Sequence, residues 1–406
     1  MSRRAVLWVV FAVAHVWVAV LGFILPNEPM GDVYRVYEPW STAALTGGGI
    51  VGIDSGWVYP QLALIPMVLT HGFAWIAGYT VGWALLVTAV DAVAFAMLVG
   101  RARSNGRRAA AWFWLGYMVL LGPVGMYRLD GFTVPLVIVA CLWLIGRPWA
   151  AALLLAAATW IKVWPAAVLA AAIIAVRRRA ALMGGAVLIS VFTMAGVILA
   201  GGGANLFSFI ADQGTRGLQI EAPVSTPYMW GALQEIEGFW VYYSPDLLTF
   251  EVTGTGIDPL IAAMTPVLVA VVTAVAVLGG VQAVRGARFA ALFPALSLAL
   301  VTGFIVCNKV GSPQYASWLI PSLVVGIMFD RRRWFAPAAL AGAIALLTQT
   351  VYPMLYGGLL TPEPVAVTVL TLRNAALVAL FVWMVARVAR VPVHGRLGAA
   401  RPASIP

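Results

Sequence analysis

Charge is scarce in this chain: only 10% of its 406 residues are Asp, Glu, Lys or Arg, while 62% are hydrophobic. A water-facing surface needs roughly a quarter of its residues charged, so an ordinary soluble domain is excluded. Lysine is scarcest of all, with Lys162 and Lys309 the only two. The two cysteines, Cys141 and Cys307, fall in apolar segments without metal-ligand spacing and read as small buried hydrophobes. The three histidines, His15, His71 and His394, form no cluster. No HExxH helix, Walker loop, nucleophile elbow or carboxylate-rich metal cage occurs, so the familiar metal-hydrolase, phosphate-loop and serine-hydrolase chemistries have nothing to stand on.

What charge there is follows a pattern. All but six of the 25 basic residues sit in short runs between long apolar stretches. The runs are Arg3 and Arg4; Arg101, Arg103, Arg107 and Arg108; Arg147; Arg177 to Arg179; Arg285 and Arg288; Arg331 to Arg333; and Arg387, Arg390, Arg396 and Arg401. All can be placed on one side of a bilayer, the positive-inside pattern of a multi-pass protein of the cytoplasmic (inner) membrane. Apart from Asp330 and Asp91, the acidic residues keep to the other side. Orientation against anionic headgroups accounts for the net charge of +10, which makes membrane lipids expected partners and nucleic acid not one.

A crossing needs about 20 apolar residues. Counted against the arginine runs, crossings fall at roughly 5–25, 79–100, 110–126, 132–146, 149–161, 165–176, 181–200, 259–284, 289–306, 315–329, 335–353 and 364–388, about twelve in all. The expected fold is therefore an all-α polytopic membrane protein, with one transmembrane domain over 1–390 and a basic cytoplasmic tail over 391–406. The first apolar run is too long for a signal peptide and meets a poor cleavage site at Pro26-Asn27-Glu28, so it reads as the first membrane helix. Segment 62–72 is too short to cross and reads as interfacial. Arg147 and Arg177 bracket 149–176 and want the same side, so the chain turns back near Lys162-Val163-Trp164-Pro165, where the proline restricts the residue before it and removes a donor. Two long non-spanning segments, 26–61 and 201–258, fall on the far side and hold most of the carboxylates; the second is long enough to be a folded functional loop.

The six remaining cations, Arg35, Arg128, Lys162, Arg216, Lys309 and Arg373, are the first candidates for an anion site. Lys162, between Trp160 and Trp164 in an apolar hairpin, costs about 2.5–3.5 kcal/mol at the bilayer centre, which snorkelling or a bound anion has to offset. Arg128 in Tyr127-Arg128-Leu129-Asp130 reads either as an anion ligand or as the partner of Asp130. Arg373 lies inside the last span and needs a partner or a polar cavity. Asp32 stands a few residues beyond the first helix, placed either to act as a general base or to cap a short interfacial helix. Trp57-Val58-Tyr59-Pro60 has the aromatic content of a headgroup belt. The run Arg216-Gly217-Leu218-Gln219-Ile220-Glu221 joins a cation, an amide and a carboxylate beside glycine. Asn308-Lys309-Val310-Gly311-Ser312-Pro313-Gln314-Tyr315 opens a span with polar side chains.

Taken in order along nearly the whole chain, Asp32, Tyr59-Pro60, Lys162-Val163-Trp164-Pro165, Arg216 to Glu221 and Ser312-Pro313-Gln314-Tyr315-Ala316-Ser317-Trp318 resemble the GT-C superfamily of membrane glycosyltransferases. The likeness is greatest to the polyprenol-phosphate-mannose-dependent mannosyltransferases of glycosyltransferase family 87 in actinobacterial envelopes. The resemblance implies a GT-C fold with two extracytoplasmic loop regions and an active site facing outward. It implies Asp32 as catalytic base and Lys162 as a donor-phosphate ligand; beside them Arg216, Arg128 and Lys309 are expected as further phosphate-binding cations and Arg35, Tyr59, Gln219, Glu221, Gln314 and Tyr315 as substrate contacts. Some relatives carry a histidine where this chain has Gln314. The implied reaction is inverting transfer of a mannosyl or related glycosyl residue from a polyprenyl-phosphate sugar to an envelope glycolipid or lipoglycan, with no cofactor and no divalent metal expected. A lipid-linked sugar transporter or flippase is the competing class; it explains the buried cations but not two large outer segments rich in carboxylates.

Overall fold

The computed structural model describes residues 2–214, 216–245 and 249–393. Thr215 and the tail residues 394–406, including His394, Arg396 and Arg401, lie outside the described residues. Helix α1 (Arg3–Ile24) starts under a Ser2 cap, whose hydroxyl accepts the Ala5 N–H at 3.2 Å. A five-residue π-turn, Val33–Tyr37, and α2 (Glu38–Thr46) follow, then α3 (Leu64–Ala74) and α4 (Tyr79–Val99). The chain continues through α5 (Asn105–Leu121), α6 (Asp130–Trp143), α7 (Pro148–Ile161), α8 (Pro165–Ala175) and α9 (Arg179–Leu199). The segment after α9 holds α10 (Ser208–Gly214), β1 (Leu218–Gln219), α11 (Thr226–Leu233), β2 (Trp240–Ser244) and β3 (Thr249–Thr253). Last come α12 (Ile257–Val284), α13 (Phe289–Val306), α14 (Leu319–Phe329), α15 (Arg331–Gln349), α16 (Gly357–Leu360) and α17 (Pro364–Ala389).

The protein is an all-α multi-pass membrane protein, and each apolar stretch expected to cross is helical. Among the described residues, seven helical segments are long and apolar enough for a full crossing: α1, α4, α9, α12, α13, α15 with its extension to Met354, and α17. The others are shorter, and the hairpin shows why. With 14 residues in α7 and 11 in α8, these helices rise only about 21 and 16 Å, against a hydrocarbon core of about 30 Å. Lys162 breaks the pair in an extended conformation, and Pro165 starts α8 at the position where a missing N–H costs nothing.

Helix α13 is buried along almost its whole length against α8, α12, α14 and α17, whereas α9 and α12 turn Val187, Phe192, Val269 and Val277 outward. Lipid tails are as apolar as these side chains, so the bundle is held by close packing and buried polar contacts rather than by exclusion from water. One such contact offsets Asp91 in α4, whose carboxylate lies 3.1 Å from His15 of α1.

The segment 201–258 is folded, as its length implied, and contains an antiparallel sheet in the order β1-β3-β2 that hydropathy did not reveal. Its register sets Gln219 opposite Glu251. Segment 62–72 is mostly α3, which packs along the start of α4; the Tyr79 hydroxyl donates to the Met67 carbonyl at 2.8 Å.

Candidate functional site

At the end of the bundle away from the arginine runs, four connections converge: the one after α1, the α7–α8 turn, the sheet, and the turn before α14. Asp32 stands at the first turn of the π-helical segment, a distortion that often marks functional positions. Its side chain makes no capping hydrogen bond. Instead, Oδ2 lies 3.1 Å from Arg128 Nε and 3.5 Å from the donating Tyr37 hydroxyl, and 37% of the side chain remains exposed. Of the two readings of Asp32 open in the sequence, the cap is therefore the one that fails.

Arg128 is buried and fixed from several sides. Nη1 donates to the carbonyls of Pro29 at 2.8 Å and Tyr127 at 2.9 Å, and Nη2 to the Tyr352 hydroxyl at 3.3 Å. Burial works against its charge, but Asp32 and the hydroxyls of Tyr352 and Tyr37 more than compensate and hold it protonated. Tyr352 sits at a kink within Thr350–Met354, where its backbone leaves the helical conformation, and its hydroxyl donates to the Asn27 carbonyl at 3.2 Å.

Lys162 projects from the α7–α8 break, with Nζ 3.8 Å from Asp130 Oδ2 and 4.6 Å from the centre of the Tyr59 ring. Asp130, the first residue of α6, is fully buried, and its Oδ1 accepts the Trp318 indole N–H at 2.5 Å. Trp318 stacks between Tyr315, at 4.0 Å between centroids, and Trp164, at 5.8 Å and nearly parallel. The Lys-x-x-Pro and Ser-Pro-Gln-Tyr elements, about 150 residues apart in sequence, thus form one aromatic block with the lysine at its edge. Burial lowers the Lys162 pKa, while Asp130, Tyr59, Tyr315 and Asp32 raise it to about 12.

The sheet adds the remaining groups. Glu251, opposite Gln219, accepts the Gly217 N–H at 3.1 Å and the Tyr242 hydroxyl at 2.8 Å. Arg216 leads into this turn with a buried Nε that makes no hydrogen bond among the described residues. Tyr315 lies within electrostatic reach of both Arg216 and Lys162. Lys309 is buried beside the same groups; desolvation lowers its pKa, with Glu251 opposing and Arg216 reinforcing the shift. The Gln219 N–H donates to the Lys309 carbonyl at 3.1 Å, and Gln219 Oε1 accepts the Gly311 N–H at 3.1 Å. A Cβ on Gly311 would collide with the backbone of Glu221 and Ala222, so only glycine lets these two segments lie so close.

Several expectations change on this geometry. Arg128 and Asp130 do not pair with each other: Arg128 pairs with Asp32, and Asp130 with Lys162. Arg35 lies outside the cluster, in an exposed 2.6 Å pair with Glu28, a contact of the kind worth about 0–1 kcal/mol. Glu221 is buried against Arg373, with 3.4 Å between Oε2 and Nη2 and a 2.8 Å bond from Nη2 to the Glu221 carbonyl, so Arg373 has the partner its depth demanded. Burial pushes the Glu221 carboxyl up to about 7 against the pull of Arg373 and Arg128. Gln314 is buried in the turn before α14, its carbonyl accepting the Ser317 hydroxyl at 2.7 Å. Asp130, Glu251 and Tyr352 were not foreseen as parts of the site. Asp130 carried a signal, a carboxylate at the head of an apolar helix, but its neighbour Arg128 hid it.

Among the described residues no three His, Cys, Asp or Glu side chains gather as metal ligands. An apolar groove of about 460 Å³ runs between α3 and α9, lined by residues such as Ile53, Leu62, Ile65, Leu69, Phe192 and Val197. Its rim includes Gln61, two positions after Tyr59.

The sequence pattern of glycosyltransferase family 87 matches residues 57–313, most of the chain, with Asp32, Gln314, Tyr315, Trp318 and Tyr352 of the site outside the match. The chain matches no curated protein and no solved structure.

Proposed function

The chain belongs to glycosyltransferase family 87, and on that premise we propose that this membrane glycosyltransferase takes its sugar from a polyprenyl-phosphate donor. In this reading it delivers a mannosyl or related glycosyl residue, with inversion, to an envelope glycolipid or lipoglycan on the extracytoplasmic face. The observation that carries the reading is the division of labour around the cluster. One partly exposed carboxylate, Asp32, pairs with Arg128 and lies within electrostatic reach of Lys162, and Lys162 shares Tyr315 with a third cation, Arg216.

The chemistry follows from the charges. Asp32 takes the proton of the acceptor hydroxyl as its oxygen attacks the anomeric carbon. Both described contacts of the carboxylate fall on Oδ2, which leaves Oδ1 for that proton. The bond to the phosphate oxygen breaks as the new glycosidic bond forms, and a β-linked donor gives an α product. Negative charge grows on the departing polyprenyl phosphate, and Lys162 and Arg216 are partly desolvated donors for it, a placement that favours the transition state over the ground state. The groove between α3 and α9 suits the donor's hydrocarbon chain, since it is apolar and its lining includes Gln61, two positions from the Tyr59 whose ring Lys162 approaches.

Purified protein incubated in parallel with polyprenyl-phosphate mannose and polyprenyl-phosphate arabinose, with an envelope lipid extract as acceptor, tests the assignment. Transfer of one labelled sugar to lipid-extractable product is expected. Inertness toward both, with activity on a nucleotide sugar instead, would overturn it.

A further inference from the structure

The two faces of the small sheet are unlike. Leu218 and Val252 are buried in an apolar core, with Val241 and Phe250 packed against it. Side chains alternate along a strand, so the residues between these stand on the opposite face. There, cross-strand pairing sets Gln219, Glu251 and Tyr242 in one row, with Trp240 two residues away along β2. The row begins at the candidate site: Gln219 Oε1 accepts the Gly311 N–H, and Glu251 Oε1 accepts the N–H of Gly217, next to Arg216. It ends in the open, since Glu251 is 3% exposed, Tyr242 38% and Trp240 56%. With strands about 4.8 Å apart, Tyr242 stands about 10 Å across the sheet from Gln219. Its hydroxyl donates to Glu251 Oε2 at 2.8 Å, which fixes the ring at the end of the row.

Exposed aromatic rings on the outer part of a membrane protein suit either lipid headgroups or sugars, and charge separates the two. No lysine or arginine occurs between Arg216 and Arg285. Glu235 and Glu237, just ahead of Trp240, are exposed. Carboxylates without a neighbouring cation in the segment repel phosphate headgroups and would be costly in hydrocarbon. Sugars fit instead: a pyranose ring has an apolar face of C–H groups that stacks on an aromatic ring, and its hydroxyls donate to carboxylates.

We propose that Trp240 and Tyr242 form a platform for the neutral oligosaccharide of the acceptor, which stacks there and runs along the row toward the Arg216 turn. Calling that sugar the acceptor's rests on the glycosyl-transfer reading; the stacking itself does not.

The test uses the full chain in phosphatidylcholine nanodiscs. Saturation-transfer NMR reads binding of mannotetraose and of the deacylated headgroups of an envelope lipid extract. Wild type is expected to pass saturation to the ring protons of the sugar. Trp240→Leu keeps an apolar side chain and removes the aromatic face, so its affinity should fall by about three- to tenfold, while Trp240→Phe should keep most of it. Trp240 is more than half exposed, so both variants should melt like wild type. In the transfer assay Trp240→Leu should raise KM for the acceptor by a similar factor and leave KM for the donor unchanged. Equal sugar binding by wild type and Trp240→Leu, or none by wild type, would overturn the platform and leave the rings as a headgroup belt. Binding lost in Trp240→Leu, with no transfer from any polyprenyl-phosphate donor, would uphold the platform and overturn only the donor reading.

Discussion

Arg128 directs three of its hydrogen bonds to Pro29, Tyr127 and Tyr352 and a fourth contact to Asp32, so the position of the proposed base is set by an arginine that cannot itself move. Lys162 is held more loosely, by Asp130 at 3.8 Å and the Tyr59 ring, which leaves its ammonium room to turn toward a phosphate. The two roles of Lys162, partner to Asp130 and donor ligand, separate by mutation. Lys162→Met strands a buried carboxylate and should cost about 3–5 kcal/mol of stability, seen as a lower melting temperature. It should also lower kcat/KM for the donor. Adding Asp130→Asn should restore the melting temperature but not kcat/KM; recovery of both would make the pair purely structural. At this scale the sequence was a good guide to which cations need a buried partner and a poor one to what those partners are. Insertion cost alone singled out Lys162 and Arg373, because a charge in hydrocarbon needs an explanation wherever it sits. Partner choice depends on which way a side chain points, and the nearness of Arg128 to Asp130 in sequence suggested a pair that the start of α6 does not allow.

At the scale of elements, the small sheet ties the loop after α9 to the turn before α14. Its tightest point is Gly311 against Glu221 and Ala222, reinforced by the Gln219 bonds to Lys309 and Gly311. Gly311→Ala should therefore lift the sheet from that turn, with an overpacking cost of about 1–3 kcal/mol. Limited proteolysis should show faster cleavage within 201–258 and the activity assay a loss of turnover; unchanged cleavage and turnover would show that the contact carries no function. Helices were legible from hydropathy because each needs a long apolar run, and the α7–α8 break was legible from Pro165 and the paired arginines. The sheet was not, because β1 is two residues long and the Trp240–Ser244 strand exposes aromatics on both faces, so neither shows the alternation that marks a half-buried strand.

For the whole molecule, the arginine runs and the candidate site lie at opposite ends of the bundle, which with the positive-inside rule is the ground for proposing an outward-facing site. Cysteine labelling in a Cys141- and Cys307-free background checks this orientation. A membrane-impermeant reagent should modify a cysteine at Ser55 in intact cells and miss one at Ser104; the reverse result would put the site in the cytoplasm and favour a nucleotide-sugar donor. Most of the overall plan could be read from charge and hydropathy, since both are set by the bilayer itself, whereas which apolar stretches form helices too short for a full crossing came only from the structure. The central claim, that Asp32 is the base of a polyprenyl-phosphate-dependent transfer, is tested most directly by Asp32→Asn, which keeps the shape and removes the basicity. Turnover should fall by about two to four orders of magnitude while labelled donor still binds with wild-type affinity. Near-normal turnover in Asp32→Asn would contradict the account.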